Sequence, residues 1–213
     1  MDLDIKKALT YFVALTLALT FHEFGHAFVA DRLGDPTPRR HGRITLNPMV
    51  HFRAHPVGAL IAPLVGPLIG FIFAWASTPV NPALVRRTVT VRKAEFLITF
   101  AGPFMNMILF VVSVAVWTGL QLTGNPALIP FVELAEACVF VNVILAVFNL
   151  FPIPPLDGFT ILRTLFPNSG YFAFAQQYSM ILFILVVMYG GRIFGPIFAQ
   201  VSDLLRWTMV TFQ

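Results

Sequence analysis

The sequence predicts an all-α polytopic membrane protein: a bundle of about four to six transmembrane helices, with a small β element on the cytoplasmic side and one re-entrant or broken segment. Three observations lead there. Of the 213 residues, 57% are hydrophobic and 11% are charged, where a soluble domain carries about 25% charged residues. Apolar runs long enough to cross a bilayer cover about residues 8–30, 57–77, 94–118, 133–151 and 176–200. The basic residues behind the formal net charge of +4 collect in loops between these runs. That arrangement suits anionic headgroups and a positive-inside orientation in a cell membrane, and not nucleic acid, for which no binding module is visible. The length fits one domain over 1–213.

The first run follows "MDLDIKK", which mixes acid with base and precedes no small-residue cleavage site, so this helix is expected to be retained rather than removed as a signal. Within it stands "ALTLALTFHEFGHAFVA" (14–30), which carries two imidazoles and a carboxylate in apolar surroundings. Ionisable groups inside a membrane helix are costly and mark function. Residues four apart share a helix face, so His22 and His26 can hold one Zn²⁺ between them, with Glu23 next to the metal as general base. After this run, residues 31–56 form a polar, Pro-rich surface insertion. Its "GRITLNP" is able to form a short strand and to offer an edge to an extended substrate.

The second run, "VGALIAPLVGPLIGFIFAWAS" (57–77), has Pro63, Gly66, Pro67 and Gly70 near its middle. Arg32, Arg39, Arg40, Arg43 and Arg53 precede it, and Arg86, Arg87, Arg92 and Lys93 follow it. Both clusters should be cytoplasmic, which a straight crossing forbids and a membrane hairpin over 57–77 permits. A straight crossing remains the alternative, because Pro and Gly are common in membrane helices.

In the third run Asn106 follows the break "AGP", and Asn149 closes the fourth run. Each can bond between helices or serve the reaction, donating to the substrate carbonyl oxygen or positioning its backbone. Cys138 reads as a small buried hydrophobe. A loop without basic residues (120–130) fits the external side, and Arg163 returns the chain to the cytoplasm. Gly190 with Gly191 is the expected break before a short interfacial helix in the tail.

Two histidines leave a catalytic zinc site one ligand short. Asp157, in "NLFPIPPLDG", is the leading third ligand: it is the only carboxylate in a long stretch, next to Gly158, which frees the backbone there. His51 and His55 compete for the place.

The chain resembles the compact prokaryotic form of the site-2 protease family of intramembrane zinc metalloproteases, peptidase family M50. The resemblance covers most of the chain and rests on "HEFGH" (22–26), "LNPMVH" (46–51), "PVNP" (79–82), "AGPFMN" (101–106) and "NLFPIPPLDG" (149–158) in this order. It implies zinc bound by His22, His26 and Asp157, Glu23 as general base, and Asn106 and Asn149 lining the active site, which the basic loops place toward the cytoplasm. The implied reaction is hydrolysis of a peptide bond in or near the membrane segment of a single-span, membrane-anchored protein, often a regulator. In related compact members an aspartate follows the loop histidine before Pro-x-Gly; here "HFRAHPVG" has Arg53, Ala54 and His55 instead. The rival reading is a zinc-binding or zinc-transporting membrane protein without hydrolysis. Glu23 beside the ligands and the scarcity of other intramembrane carboxylates speak for the protease.

Overall fold

The computed structural model describes residues 4–69 and 74–212. The chain is all-α and polytopic: three described helices have the length and apolarity to cross a membrane, and a bent pair of helices makes a fourth candidate.

Helix α1 (Ile5–Leu33) starts where the Asp4 side chain accepts a hydrogen bond from Lys7 N at 2.9 Å, which satisfies one of the otherwise unpaired N–H groups of a first helical turn. α5 (Val91–Leu122) and α6 (Ile129–Asn149) are the other long spans. Small residues let the three approach: Ala14, Leu15 and Ala18 of α1 pack with Ala137, Val141 and Leu145 of α6, while Ala30 of α1 meets Ala94 and Ile98 of α5. Close backbone approach through small side chains is how membrane helices gain contact, since lipid tails are as apolar as the helices themselves. Pro103 lies inside a continuous α5, so "AGP" does not end that helix.

Two short helices, α2 (Thr37–Arg40) and α3 (Pro48–Ala54), occupy the surface insertion. Among the described residues there is no β-strand. The expected strand over 42–48 has no partner strand. Its backbone is spent locally, with Arg43 N–H on Pro38 O at 2.8 Å and Thr45 N–H on Arg43 O at 2.9 Å, and the Asn47 side chain caps α3 through Met49 N at 3.0 Å. Asp35 is fully buried and ties the insertion down, accepting from Thr37 N (2.9 Å) and Asn81 N (2.6 Å).

Residues 56–69 form a π-helical turn (Pro56–Ile61), then α4 (Ala62–Val65), then a 3₁₀ turn (Gly66–Ile69). Gly70 and the rest of the expected hairpin's tip lie outside the described residues. The two arms come back together: Trp75 N donates to Gly58 O at 2.9 Å, and His55 Nε2 lies 2.9 Å from Ser77 O. The chain thus folds back on itself. Arg86 N–H on Leu33 O (2.9 Å) brings the start of α5 to the end of α1. The connection between these two helices therefore begins and finishes at one end of the bundle, and the two basic loops share that end.

α7 (Asp157–Leu165) begins at the proposed ligand. It is fastened to α5 by Arg92, which donates to Thr164 O and Leu165 O, and by Arg163 on Glu95 at 2.6 Å. α8 (Tyr171–Gln177) and α9 (Ser179–Phe212) form the bent pair, 79° apart. The break falls at Tyr178, and α9 runs unbroken through Gly190 and Gly191. A glycine costs a helix only about 1 kcal/mol relative to Ala, which tertiary packing and a long hydrogen-bonded run absorb.

Candidate metal centre

His22 and His26 stand on one face of α1, seven to eleven residues before its end, or about 10 to 16 Å along the axis at 1.5 Å per residue. Asp157 is brought to the same place by the turn into α7. Three ligand-type atoms, one from each of these residues, lie within 4.8 Å of one another. Asp157 Oδ2 is 3.3 Å from His22 Nε2 and 3.4 Å from His26 Nε2, and the two Nε2 atoms are 3.0 Å apart. The side chains are 6%, 12% and 18% exposed, shielded yet reachable.

The remaining hydrogen bonds establish which atoms are on offer. His22 Nδ1 lies 2.7 Å from Asn106 Oδ1, and His26 Nδ1 lies 2.8 Å from Ile98 O. Both partners are oxygen acceptors, so each Nδ1 carries the proton and each Nε2 presents a lone pair. Two lone pairs and a buried carboxylate oxygen pointing at one spot repel each other unless a cation lies between them. Among the described residues Asp157 Oδ2 has no hydrogen-bond partner, as suits an oxygen kept for a metal. Histidines that ligate a metal typically donate their other N–H to a carbonyl or carboxylate oxygen. The cluster can therefore coordinate a metal, and its N, N, O donor set suits zinc with one position left open.

Glu23 is 3% exposed, and its Oε2 is buried without a partner. It lines the same cavity as the three cluster residues, of about 230 Å³, together with Thr78 and Asn149. Asn149 gives one amide proton to Leu145 O (2.9 Å), and its Oδ1 has no partner among the described residues. Asn106 sits elsewhere. It is fully buried behind His22, and its Nδ2 donates to Ala18 O (3.1 Å) and Asn142 Oδ1 (3.0 Å). With both amide protons and Oδ1 engaged, it has nothing left for a substrate oxygen; it holds the His22 ring instead.

Neither competing histidine joins the cluster. His55 clamps the fold-back through Ser77 O and packs against Trp75 with ring centroids 5.6 Å apart and the planes tilted by 49°. His51 is 1% exposed, and burial holds its pKa below the ordinary histidine value. "GRITLNP" does not line the cavity; the extended stretch after the fold-back does, through Trp75, Ala76, Ser77, Thr78 and Val80.

Sequence reasoning passed over Asn142. It is buried and completes the chain from His22 through Asn106 to Cys138 O (2.8 Å). An Asn in a membrane helix was the available signal. Gly102 was also missed: a Cβ there would collide with His26 Nε2 and His22 Cε1, so "AGP" makes room for the two imidazoles. Gly158 acts likewise, since a Cβ would meet the carbonyl oxygens of Leu150 and Phe151; it serves close packing where flexibility was expected.

Two expected results follow. Gly102→Ala displaces both imidazoles and lowers metal-dependent activity about 100-fold, the scale for a shift of about 1 Å at reacting groups; unchanged activity would mean that the rings reorient freely. Asn106→Leu frees the His22 ring and weakens zinc binding roughly 10–100-fold, measured by competition with a chromophoric chelator; wild-type affinity would deny Asn106 its positioning role.

Fold and site together define a polytopic helical membrane protein with a buried His-His-Asp cluster that can hold a metal. A family model described as "Peptidase family M50" matches residues 121–190. The chain is 32% identical over 211 residues to "Putative zinc metalloprotease YwhC" of Bacillus subtilis (strain 168), covering 94% of this chain and 91% of that protein. It is 31% identical over 143 residues to "Putative zinc metalloprotease Rip2" of Mycolicibacterium smegmatis, covering 67% of this chain and 52% of that protein. Against the protein of the same name from Mycobacterium tuberculosis (strain H37Rv) it is 29% identical over 187 residues, covering 87% and 68%. No solved structure gives a significant match. The chain belongs to peptidase family M50.

Proposed function

We propose that the chain is a zinc-dependent intramembrane endopeptidase that hydrolyses a peptide bond in or near the transmembrane segment of a single-span, membrane-anchored protein. In this reading one Zn²⁺ per chain is held by His22, His26 and Asp157, and Glu23 is the general base. The observation that carries it is the convergence of the two Nε2 atoms and Asp157 Oδ2, all turned to one point, beside the partnerless Glu23 Oε2. The names of the relatives agree with it.

Zinc bound there would act as a Lewis acid and bring the pKa of a coordinated water to about 7. Glu23 takes the proton of the attacking water and returns it to the leaving amine. Asn106, with Asn142 behind it, keeps the His22 ring in register. Asn149 faces the cavity and offers its Oδ1 and its second N–H to the substrate backbone. A substrate helix hides its carbonyls in i to i−4 bonds, so the segment to be cut must unwind before attack.

The basic loops support a cytoplasmic orientation of the site. They gather at the end of the bundle nearest the cluster, and the positive-inside rule makes that end cytoplasmic. Residues 1–213 then act as one protease domain, with 31–56 as a surface insertion. Residues 57–77 enter the membrane and return to the side they left, while α1, α5, α6 and the bent α8–α9 pair supply four crossings. The test uses purified protein in phosphatidylcholine–phosphatidylglycerol vesicles with single-span peptides. One bound zinc per chain, cleavage abolished by chelation and cleavage restored by Zn²⁺ are expected; full activity after metal removal refutes the reading.

A further inference from the structure

A second cavity, of about 440 Å³ and largely apolar, adjoins the metal cavity. Ala74, Trp75, Phe148, Leu156, Met180 and Phe183 give it its apolar character, and the two cavities share Trp75, Asn149, Pro155 and Leu156 as a common wall. Its sides come from four separate parts of the chain: the returning arm of the fold-back, the end of α6, the turn that delivers Asp157, and the start of α9. Leu156 immediately precedes the ligand Asp157.

We infer that this cavity is a subsite for a large apolar side chain of the substrate, of Leu, Met or Phe size, within two residues of the scissile bond. The inference rests on the endopeptidase reading above and names the side-chain class that the site selects. Continuity with the metal cavity is the first argument. An extended peptide advances about 3.3 Å per residue and turns alternate side chains to one face, so a chain lying over Glu23 presents a neighbouring side chain to the adjoining space. The second argument is Asn149 on the common wall. Its partnerless Oδ1 can accept a backbone N–H, which a peptide supplies and a lipid acyl chain does not. Met180 is 71% exposed, which leaves the mouth open to an entering side chain, and its unbranched thioether adapts to differing apolar shapes.

The experiment presents a library of single-span peptides, randomised across the membrane-embedded segment, to the full chain in phosphatidylcholine–phosphatidylglycerol vesicles. Cut positions are read by mass spectrometry. Large apolar residues should exceed Ala by about 10-fold or more at one fixed position beside the cut, the scale for discrimination by an apolar pocket. Met180→Trp and Ala74→Leu fill the cavity from two sides and should move that ratio toward Ala. Met188→Trp, farther along α9 and outside the cavity, should not move it. No enriched position, or ratios unchanged in both cavity variants while Glu23→Gln abolishes cleavage, overturns the subsite alone. Absence of products from wild type, or equal products from Glu23→Gln, overturns the endopeptidase reading and the subsite with it. A photo-crosslinking residue placed at position 180 in the Glu23→Gln chain should capture uncleaved peptide; adducts confined to phospholipid would identify an acyl-chain site and overturn the proposal.

Discussion

Glu23→Gln is expected to lower the cleavage rate of a single-span membrane peptide by about 10²–10⁴-fold, the range associated with loss of a positioned general acid–base group, while zinc content stays at the wild-type level. The separation of these effects follows from the geometry. Glu23 neighbours His22 on α1 and opens into the same cavity, yet it contributes no atom to the cluster of three ligands. Its Oε2 is buried without a hydrogen bond, so no structural partner loses a bond when oxygen becomes amide. Glutamine keeps the volume of the side chain and removes only its capacity to take a proton. Bound zinc is measured on the purified variant beside the initial rate on the same preparation. Zinc lost together with activity would make Glu23 a ligand or a folding residue, and undiminished cleavage would remove it from the reaction.

What was legible in the sequence was local. His22, Glu23 and His26 lie within five positions, and helical periodicity alone puts the imidazoles on one face. The long spans were equally readable, because about 20 apolar residues fix both the element and its environment. Charge argued for a hairpin over 57–77 against a straight crossing, since two basic loops demanded the same side of the membrane; among the described residues its two arms are joined by hydrogen bonds from Trp75 to Gly58 and between His55 and Ser77.

Readings that depended on distant partners fared differently. The β-propensity of "GRITLNP" meets no second strand among the described residues, and Asn47 is claimed by the α3 cap. Gly190 and Gly191 are permissive positions inside a helix long enough to carry them. Asn106 was legible as a polar residue needing a partner, but its partners are 84, 88 and 36 positions away. Only the crossing of α1, α5 and α6 decides that it faces His22 instead of a substrate. Gly102 illustrates the same limit: its missing side chain matters only because two imidazoles occupy that space.

Asp157→Ala is expected to reduce zinc affinity by more than about 100-fold, beyond the roughly 10–100-fold that follows loss of an outer partner of a ligand. The variant leaves two Nε2 donors on α1, and two imidazoles do not complete the three-ligand set of a catalytic zinc site. Loss of fold does not explain such a result in advance, because α7 is held from its far end. Arg92 caps the carbonyls of Thr164 and Leu165, and Arg163 pairs with Glu95. Thermal unfolding of metal-free wild type and variant should therefore coincide, while titration with Zn²⁺ should stabilise only the wild type appreciably. His51→Ala supplies the comparison that the sequence demanded. His51 is buried but stands apart from the cluster, so its loss should leave zinc affinity close to wild type. Undiminished affinity in Asp157→Ala together with a sharp fall in His51→Ala would transfer the third ligand to His51 and would require α3 to move against α1 when metal binds.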